Sequence, residues 1–305
     1  MLVGIWQSLR PQQWLKNLAV LAPAFFAGQI LNENWWGFLI WAFFLLSAAS
    51  SGSYIINDLL DKEKDNLHPL KASRPIASGK VPDSVAALVA AILITFSVAT
   101  SFHFRAYFAL TVAAFVALQL LYSLFLKKVI LLDVMTIAAT FSLRVFAGAF
   151  ILSVSISAWL IITTVTLALL LAIGKRRAEV TLLTHRLASK QREVVSRYPT
   201  VLLDGMTFMM ATATMITYAL FTFNAPEVST RHRLTELLPQ TLSNPKWIMI
   251  TLPFVIYGVF RYLFVIYEKK EGSSPERVLI TDFPLLAAVV GWLGAAFFAV
   301  YVAVR

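Results

Sequence analysis

Three aspartates at the end of a long apolar stretch could hold a metal ion. Residues 57–65 read N-D-L-L-D-K-E-K-D. On a continued helix, at about 100° per residue, Asp58, Asp61 and Asp65 fall within about 60° of one another, with Asn57 nearby. Like charges that close repel unless a cation sits among them, and hard oxygen ligands suit Mg²⁺. The spacing predicts a magnesium site on these four residues, and the alternative is a solvated helix end balanced by its own lysines.

A basic loop with two prolines follows the aspartates. Residues 68–79 read H-P-L-K-A-S-R-P-I-A-S-G. Lys71 and Arg74 offer cations for phosphate oxygens of a ligand that a metal would hold from the other side. On the alternative interpretation these two are ordinary loop charges, and His68 is a structural hydrogen-bonding group. Together, the two stretches favour a phosphorylated substrate bridged to Mg²⁺.

The composition places these groups beside a bilayer. Of the 305 residues, 59% are hydrophobic and 14% charged, against roughly 25% charged in an average globular protein. This excludes a soluble enzyme, and the absence of cysteine excludes disulfides, thiolate metal sites and cysteine nucleophiles. The basic residues that give the net charge of +10 lie between apolar spans. We therefore expect the chain to interact with a membrane and not with nucleic acid. The sequence predicts an all-α integral membrane protein.

Nine spans are predicted from the requirement for about 20 mostly apolar residues to cross a bilayer. They belong to a single membrane-embedded domain over 1–305, which begins at 1–17 with an interfacial helix that has Trp6 and Trp14 at headgroup level. The first span is short and the sixth is near the lower limit of length. The predicted spans are 18–32, 36–56, 83–101, 106–126, 131–152, 157–174, 201–223, 246–267 and 281–303.

The distribution of basic residues predicts the topology. On this division, 19 of the 26 Lys and Arg residues lie before the first span or after an even-numbered span, and 5 lie on the opposite side. The positive-inside rule then places the N-terminus and the basic loops in the cytoplasm, and the C-terminus outside. The aspartates and nearly all other groups able to do catalysis lie in those loops. We therefore expect a protein of the inner membrane of the cell, with a polar cavity between its helices that faces the cytoplasm.

Two ionisable residues fall inside or at the end of the fifth span. Asp133 and Arg144 are eleven residues apart, close to three helical turns, so they share a face about 16 Å apart along the axis and are too distant to pair. An ionisable residue inside a span is a candidate for a functional site, and Arg144 could line the cavity where phosphates meet. Snorkelling or pairing with another helix is the alternative.

The ordered set of motifs resembles the UbiA superfamily of intramembrane prenyltransferases and, within it, the decaprenyl-phosphate phosphoribosyltransferases. The resemblance covers almost the whole chain and implies that Mg²⁺ binds at the aspartate motif. It makes Lys127 a phosphate contact and adds Lys16, Asn17 and Tyr122 as substrate-binding residues, although Tyr122 could also be an interfacial anchor. The motifs that carry it are R-P-Q-Q-W-L-K-N (10–17), N-D-x-x-D-x-x-x-D (57–65), R-P-I-A-S-G (74–79), Y-S-L-F-L-K (122–127), L-D (132–133), L-R (143–144), G-K-R-R-A-E (174–179) and S-P-E-R (274–277).

The chain departs from the superfamily pattern after the sixth span. There, UbiA-type enzymes carry a second D-x-x-x-D motif, whereas this chain has Lys175 and Glu179 at that spacing, with Arg176 and Arg177 between them. Three cations in place of one acid suit a donor with an additional phosphate, such as phosphoribosyl diphosphate. Topology anchoring is the alternative role for these cations.

The resemblance implies transfer of 5-phosphoribosyl from phosphoribosyl diphosphate to a polyprenyl phosphate. The alternative enzyme moves a prenyl group from a prenyl diphosphate to an aromatic or other small acceptor. A transporter or channel is a third class, but it would carry charges at mid-membrane in several spans and internal repeats, which are not evident here. A homo-oligomer remains open because small-residue stretches such as 147–149 can pack helices within or between protomers.

Overall fold

The computed structural model describes residues 1–67, 71–185, 198–225, 246–269 and 275–303, with the backbone alone at 182–185 and 275–276. His68 lies outside the described residues. Within the described residues, every secondary-structure element is a helix, which confirms the all-α prediction. The α-helices are α1 (Leu2–Leu9), α2 (Ala22–Phe26), α3 (Glu33–Leu60), α4 (Lys62–Asn66), α5 (Asp83–Ser101), α6 (Ala106–Leu124), α7 (Leu132–Leu152), α8 (Ala158–His185), α9 (Thr200–Phe223), α10 (Leu252–Tyr267), α11 (Pro275–Thr281) and α12 (Phe283–Phe297).

Three 3₁₀ helices and one π-helix join or extend these elements. They are Pro11–Leu21, Leu126–Lys128 and Trp247–Thr251 in 3₁₀ form, and Phe298–Val302 in π form. Eight helical stretches of the described chain are long and apolar enough to cross a bilayer. They begin with α3 and correspond to the second to ninth predicted spans.

The first predicted span, 18–32, is not one long helix. It is built from the end of the 3₁₀ segment Pro11–Leu21, the short α2 and the turn before α3. At a rise of about 2.0 Å per 3₁₀ residue and 1.5 Å per α residue, the helical residues of this span, 18–26, cover only about 15 Å. The length reaches about 30 Å, the thickness of the hydrocarbon layer, only when residues 11–17 of the 3₁₀ segment are included.

Hydrogen bonds align the 3₁₀ segment antiparallel to α3. Trp14 Nε1 donates to Ser51 Oγ (3.0 Å), and three residues later Asn17 Nδ2 donates to Ser47 Oγ (3.0 Å). From Trp14 to Asn17 the segment therefore runs away from the end of α3 that carries the aspartates. Gly148 of α7 allows the segment to approach, because a Cβ there would lie 1.9 Å from the Val20 carbonyl oxygen.

The described chain divides into two compact units. Unit 1 comprises 1–155 and 183–199, and unit 2 comprises 156–182 and 200–305. In unit 1 the main hydrophobic core lies where α3, α6, α7 and the 3₁₀ segment meet, around Leu46, Phe108, Phe115 and Ile151. In unit 2 a core forms between α8, α9 and α10 around Leu170, Ala211 and Tyr262. The single domain over 1–305 remains a prediction.

Candidate functional site

The aspartate motif lies where α3 ends, but its helix is not continuous. Asp61 leaves the helical conformation (φ −97°, ψ 5°), and α4 begins at the next residue. The uninterrupted helix that the spacing predicts is therefore wrong. The interruption is confined to one residue, because the Asp61 and Asp65 amides still donate to the Asn57 and Asp61 carbonyls. Asp61 meets a different cation from Asp58 and Asp65, which separates like charges. We call Asn57, Asp58, Asp61 and Asp65 the carboxylate cluster.

Asp58 and Asp65 converge on one guanidinium. Arg74 Nη1 donates to Asp58 Oδ1 (2.9 Å) and to Asp65 Oδ2 (2.5 Å). Arg10 Nη2 donates to the same oxygen of Asp58 at 2.5 Å, and Lys71 Nζ lies 3.9 Å from Asp65 Oδ1. Both carboxylates are buried, with side chains 5% and 6% exposed, so these charged contacts are shielded from solvent screening. Lys71 and Arg74 thus lie where the sequence predicts them.

Asp61 and Asn57 converge on a second cation. Lys127 Nζ lies 2.7 Å from both carboxylate oxygens of Asp61 and 3.0 Å from Asn57 Oδ1. Lys127 belongs to the 3₁₀ turn Leu126–Lys128 after α6 and its side chain is 8% exposed. A lysine 66 residues away in the chain is therefore part of the carboxylate cluster's immediate surroundings.

The loop after α4 presents Arg74 by burying its neighbours. Pro75 and Ile76 are buried, and Gly79 turns the chain at φ 74°, a conformation that favours glycine. The Ser78 amide donates to the Arg74 carbonyl (2.8 Å), which closes the turn on itself. The R-P-I-A-S-G motif therefore holds a guanidinium at the carboxylate cluster through a tight, self-bonded turn.

The carboxylate cluster offers suitable donors for Mg²⁺, but in two pairs. Among the described residues, no three His, Cys, Asp or Glu side chains form a group that could hold one ion. Asp58 with Asp65, and Asn57 with Asp61, nevertheless each converge on one positive nitrogen. Carboxylate and amide oxygens are the ligands that a hard divalent cation prefers, and each pair here converges on a point that a protein cation now fills. The donor chemistry fits Mg²⁺, and the assignment of these ligands stays a prediction.

Asn17 and Arg144 are brought together away from the carboxylate cluster. Arg144 Nε donates to Asn17 Oδ1 (2.7 Å), Nη1 donates to the Thr140 carbonyl (2.8 Å), and the guanidinium lies 4.7 Å from the centre of the Phe115 ring. The Ser47 that Asn17 contacts precedes Asp58 by eleven residues on α3, which is about 16 Å along the axis. Lys16 Nζ donates to Gln13 (2.5 Å). These contacts join the 3₁₀ segment to α3 and α7, and the substrate-binding roles of Lys16, Asn17 and Arg144 stay predictions.

Asp133 is bound by a tyrosine that sequence reasoning did not identify. Tyr198 Oη donates to Asp133 Oδ1 (2.6 Å) and accepts from the Leu131 amide (2.7 Å). Leu131 has φ 69°, an unfavourable value for a branched residue, so these hydrogen bonds hold a strained link between Lys127 and α7. Asp133 and Arg144 have separate partners, as expected from the prediction that they do not pair. Tyr122 lies half-buried in the last turn of α6.

The basic segment of unit 2, Lys175–Arg177 with Glu179, lies on α8. Arg176 is 1% exposed and its Nη1 donates to Glu179 Oε2 (2.5 Å), one turn later. Arg177 Nε donates to Asp204 Oδ1 of α9 (2.5 Å). Both guanidinium groups are thus paired with acids of unit 2, while Lys175 is partly buried.

Comparisons with known proteins agree with these motifs. The model of the UbiA prenyltransferase family matches residues 17–284. The decaprenyl-phosphate phosphoribosyltransferase of Mycolicibacterium smegmatis is 31% identical over 303 residues, covering 98% of this chain and 92% of the relative. The enzyme of the same name from Corynebacterium glutamicum is also 31% identical over 303 residues, covering 98% and 87%. The chain belongs to the UbiA prenyltransferase family.

Solved structures of UbiA proteins show the same fold. A UbiA homologue from Archaeoglobus fulgidus bound to DMAPP and Mg²⁺ aligns with a TM-score of 0.69 at 18% identity, covering 98% of this chain and 99% of that one. The same homologue bound to GPP and Mg²⁺ gives 0.70 at 20% identity, covering 98% and 100%. The predicted UbiA-type helical bundle is confirmed, and the chain is a multi-pass membrane protein.

Arg10 is the main residue at the carboxylate cluster that sequence reasoning left out. It lies in the R-P-Q-Q-W-L-K-N stretch that supported the family resemblance, but nothing in the spacing of that stretch points to Asp58, 48 residues later. Tyr198 and Asp204 were missed for the same reason. Each acts through a contact between distant segments, which residue spacing along one helix does not encode.

Proposed function

We propose that this chain transfers a 5-phosphoribosyl group from phosphoribosyl diphosphate to the phosphate of a long, decaprenyl-type polyprenyl phosphate, with Mg²⁺, releasing pyrophosphate. The observation that carries the proposal is the meeting of Arg10, Arg74 and Lys127, from three separate segments, with three aspartates at the end of α3. Alternating acids and cations of this kind suit a diphosphate held through a divalent ion. Relatives that share this chain's full length carry that activity in their names.

The basic segment favours the phosphoribosyl donor over a prenyl diphosphate. A prenyl diphosphate has one charged end, whereas phosphoribosyl diphosphate has a second phosphate at ribose C5. Lys175, Arg176 and Arg177 supply cations where other UbiA enzymes are expected to carry acids. A guanidinium fork suits a phosphate better than a second metal-binding acid would. We therefore assign the 5-phosphate to this segment.

In the transfer step, the bond from ribose C1 to the diphosphate breaks with its electron pair on the leaving oxygen. A phosphate oxygen of the acceptor forms the new bond to C1. Bound Mg²⁺, held by Asn57, Asp58, Asp61 and Asp65, would neutralise the leaving pyrophosphate. Arg74, Lys71 and Lys127 hold the diphosphate and the acceptor phosphate beside it, which favours charge separation at C1.

The acceptor needs no general base, because a phosphate monoester is already anionic near neutral pH. Its lipid tail would lie among apolar side chains that face the bilayer. The positive-inside distribution of Lys and Arg supports a carboxylate cluster and an N-terminus in the cytoplasm, so that a soluble donor and a lipid acceptor meet at the inner membrane surface.

The test is a transfer assay with purified protein, labelled phosphoribosyl diphosphate, decaprenyl phosphate and Mg²⁺. The wild type should form a labelled lipid, and Asp61→Asn should lower the rate at least about a hundredfold, because it removes a carboxylate that would hold the Mg²⁺ that neutralises the leaving group. Asp83→Asn is the matched control, since Asp83 pairs with Lys62 on the exposed surface and should keep the wild-type rate.

Two results would contradict the proposal. Labelled lipid formed equally well by Asp61→Asn would remove the metal role of the carboxylate cluster. Product formed only when a prenyl diphosphate replaces phosphoribosyl diphosphate would establish the alternative, prenyl transfer to a small acceptor.

A further inference from the structure

Arg10 is held at the carboxylate cluster by an unusual backbone. It ends α1 in the left-handed conformation (φ 54°, ψ 61°), which an arginine adopts only under constraint. The constraint comes from both sides. Ser51 Oγ of α3 donates to the Leu9 carbonyl (2.9 Å), and Pro11 begins the 3₁₀ segment directly after Arg10. The main chain therefore directs this side chain toward the end of α3.

The helix before Arg10 is fixed to the loop that carries Arg74. Gly4 of α1 packs so closely on this loop that a Cβ would lie 2.8 Å from Val81 Cγ2 and 3.4 Å from Pro75 Cβ. The Arg10 guanidinium also lies 5.3 Å from the centre of the Tyr54 ring. Its side chain is 27% exposed, against 5% for the Asp58 side chain that it contacts.

The carboxylates of this region are already outnumbered by cations without a metal. Three carboxylates, on Asp58, Asp61 and Asp65, are within salt-bridge distance of four cations. The net charge of the group is therefore +1, and a bare divalent cation would raise it to +3. A diphosphate that arrives with the metal supplies the missing negative charge. The four cations are Arg10, Lys71, Arg74 and Lys127.

We propose that Arg10 is a resident counter-ion of Asp58 that opposes binding of a bare divalent cation and moves to the diphosphate when the metal arrives with it. Arg10 occupies an oxygen of Asp58 that the metal would need, so it competes with the metal when no diphosphate is present. Once a diphosphate is present, the same guanidinium gains an anionic partner, and Asp58 Oδ1 then has one resident cation, Arg74, instead of two. Metal and diphosphate therefore bind cooperatively, and Arg10 is a positioning residue that contributes to this coupling.

This inference deepens the proposed function and rests on it for the identity of the diphosphate. It is testable by binding alone, with full-length protein in detergent, Mn²⁺ as the metal and inorganic pyrophosphate as the diphosphate. Equilibrium dialysis measures protein-bound Mn²⁺ with and without pyrophosphate. In the wild type, pyrophosphate should increase the apparent Mn²⁺ affinity.

Arg10→Gln should change the two affinities in opposite directions. Bare Mn²⁺ should bind about tenfold more tightly, because a competing charge is gone. Mn²⁺ with pyrophosphate should bind about tenfold more weakly, because a charged hydrogen bond to the diphosphate is lost. Arg10→Lys keeps the charge without the planar fork, so its bare Mn²⁺ affinity should match the wild type while its pyrophosphate effect is smaller.

Arg105→Gln is the matched control. Arg105 Nε donates to the Ile151 carbonyl (3.1 Å) and has no contact with the carboxylate cluster among those described, so both affinities should be unchanged. Unchanged or weaker bare Mn²⁺ binding in Arg10→Gln would overturn the inference. So would a pyrophosphate effect equal to that of the wild type. If Arg10→Gln does not fold, as judged by gel filtration and circular dichroism, a wild-type pyrophosphate effect in Arg10→Lys would overturn it.

The transfer assay separates this inference from the proposed function. A wild-type protein that shows the Arg10-dependent coupling but forms no phosphoribosyl lipid would retain the inference and refute the assigned substrate. Transfer activity without any Arg10 effect on Mn²⁺ binding would do the reverse. Asp58→Asn should abolish the Arg10 effect, since the two side chains act on each other.

Discussion

The carboxylate cluster of unit 1 and the basic segment of unit 2 both pair acids with bases, but over different distances in the chain. Asp58 meets Arg10, 48 residues earlier, and Asp61 meets Lys127, 66 residues later. In unit 2, Arg176 meets Glu179 within one turn of the same helix. The first arrangement exists only when several elements are folded together, whereas part of the second can form on α8 alone.

The packing beneath the two regions differs in the same way. In unit 1, Gly148 lies directly against backbone, because a Cβ there would lie 1.9 Å from the Val20 carbonyl oxygen. In unit 2, Gly174 and Gly291 approach side chains instead, of Tyr262 and Ile266 and of Phe254. Side-chain ends can move aside more easily than backbone, so we expect the Gly148 contact to tolerate the least change.

The largest expected effect is therefore from Gly148→Ala. The new methyl group would collide with the Val20 backbone, so α7 and the 3₁₀ segment must separate, at a cost of about 3 kcal/mol or more. Gly205→Ala in α9 is the matched variant, because nothing lies within 4 Å of its Cβ position. It should be neutral or up to about 1 kcal/mol stabilising through helix propensity. Unfolding in mixed detergent measures both, and equal effects would remove the contrast between the units.

The next effect concerns Arg177, which has an acid partner in place and a proposed phosphate partner. Arg177→Gln should raise the KM for phosphoribosyl diphosphate about tenfold, the scale of one charge-assisted hydrogen bond, and leave kcat mostly intact. If Arg177 binds the 5-phosphate, adding Asp204→Asn will not restore the KM. Arg277→Gln, at an exposed position of α11, should leave the KM unchanged.

The double variant decides between two roles of Arg177. Tyr267 Oη also donates to Asp204 (2.9 Å), so Asp204 keeps one partner when Arg177 is replaced. A wild-type KM in Arg177→Gln with Asp204→Asn would mean that Arg177 only neutralises Asp204. The basic segment would then be structural, and the contrast with the carboxylate cluster would be one between a structural and a functional site.

The regular spans were predictable from the sequence, and the first one was not. Each of the eight stretches of the described chain that can cross a bilayer presents a long apolar run, and hydropathy detects such a run directly. Hydropathy did not identify the 3₁₀ segment, because Gln12, Gln13, Lys16 and Asn17 interrupt its apolar residues. The antiparallel pairing of the 3₁₀ segment with α3 depends on hydrogen bonds from Trp14 and Asn17 to serines 37 and 30 residues later in the chain, which local sequence does not encode.

The candidate site was predictable only as far as local spacing reaches. The acids of residues 57–65 and the cation of Arg74 lie within 18 residues, and the structure brings them together. The break at Asp61 was not predictable, because it accompanies a contact with Lys127 from another helix. Arg10 needs a left-handed backbone and a fixed α1 to reach Asp58, and neither has a signal in residue type alone.

The smallest effect concerns Asp282, a third arrangement in which one buried acid of unit 2 holds two cations. Two hydrogen bonds from Arg261, at 2.9 Å each, and a further one from Lys269 hold the pKa of Asp282 well below its ordinary value. A lowered pKa stabilises the fold at every pH above the ordinary carboxyl value of about 4, and this contribution is lost progressively as the pH falls below it. Asp282→Asn keeps an oxygen to cap α12 but removes the charge.

The stability difference between the wild type and Asp282→Asn should therefore be constant from pH 7 to pH 5 and shrink below pH 4, where the unfolded state takes up a proton before the folded one. Unfolding midpoints in detergent at pH 7, 5 and 3 measure it. A difference that persists undiminished at pH 3 would mean that packing, and not charge, accounts for the effect of Asp282. Since the acid here is outnumbered by cations from its own unit, this result would also show whether unit 2 relies on charge pairing as unit 1 does.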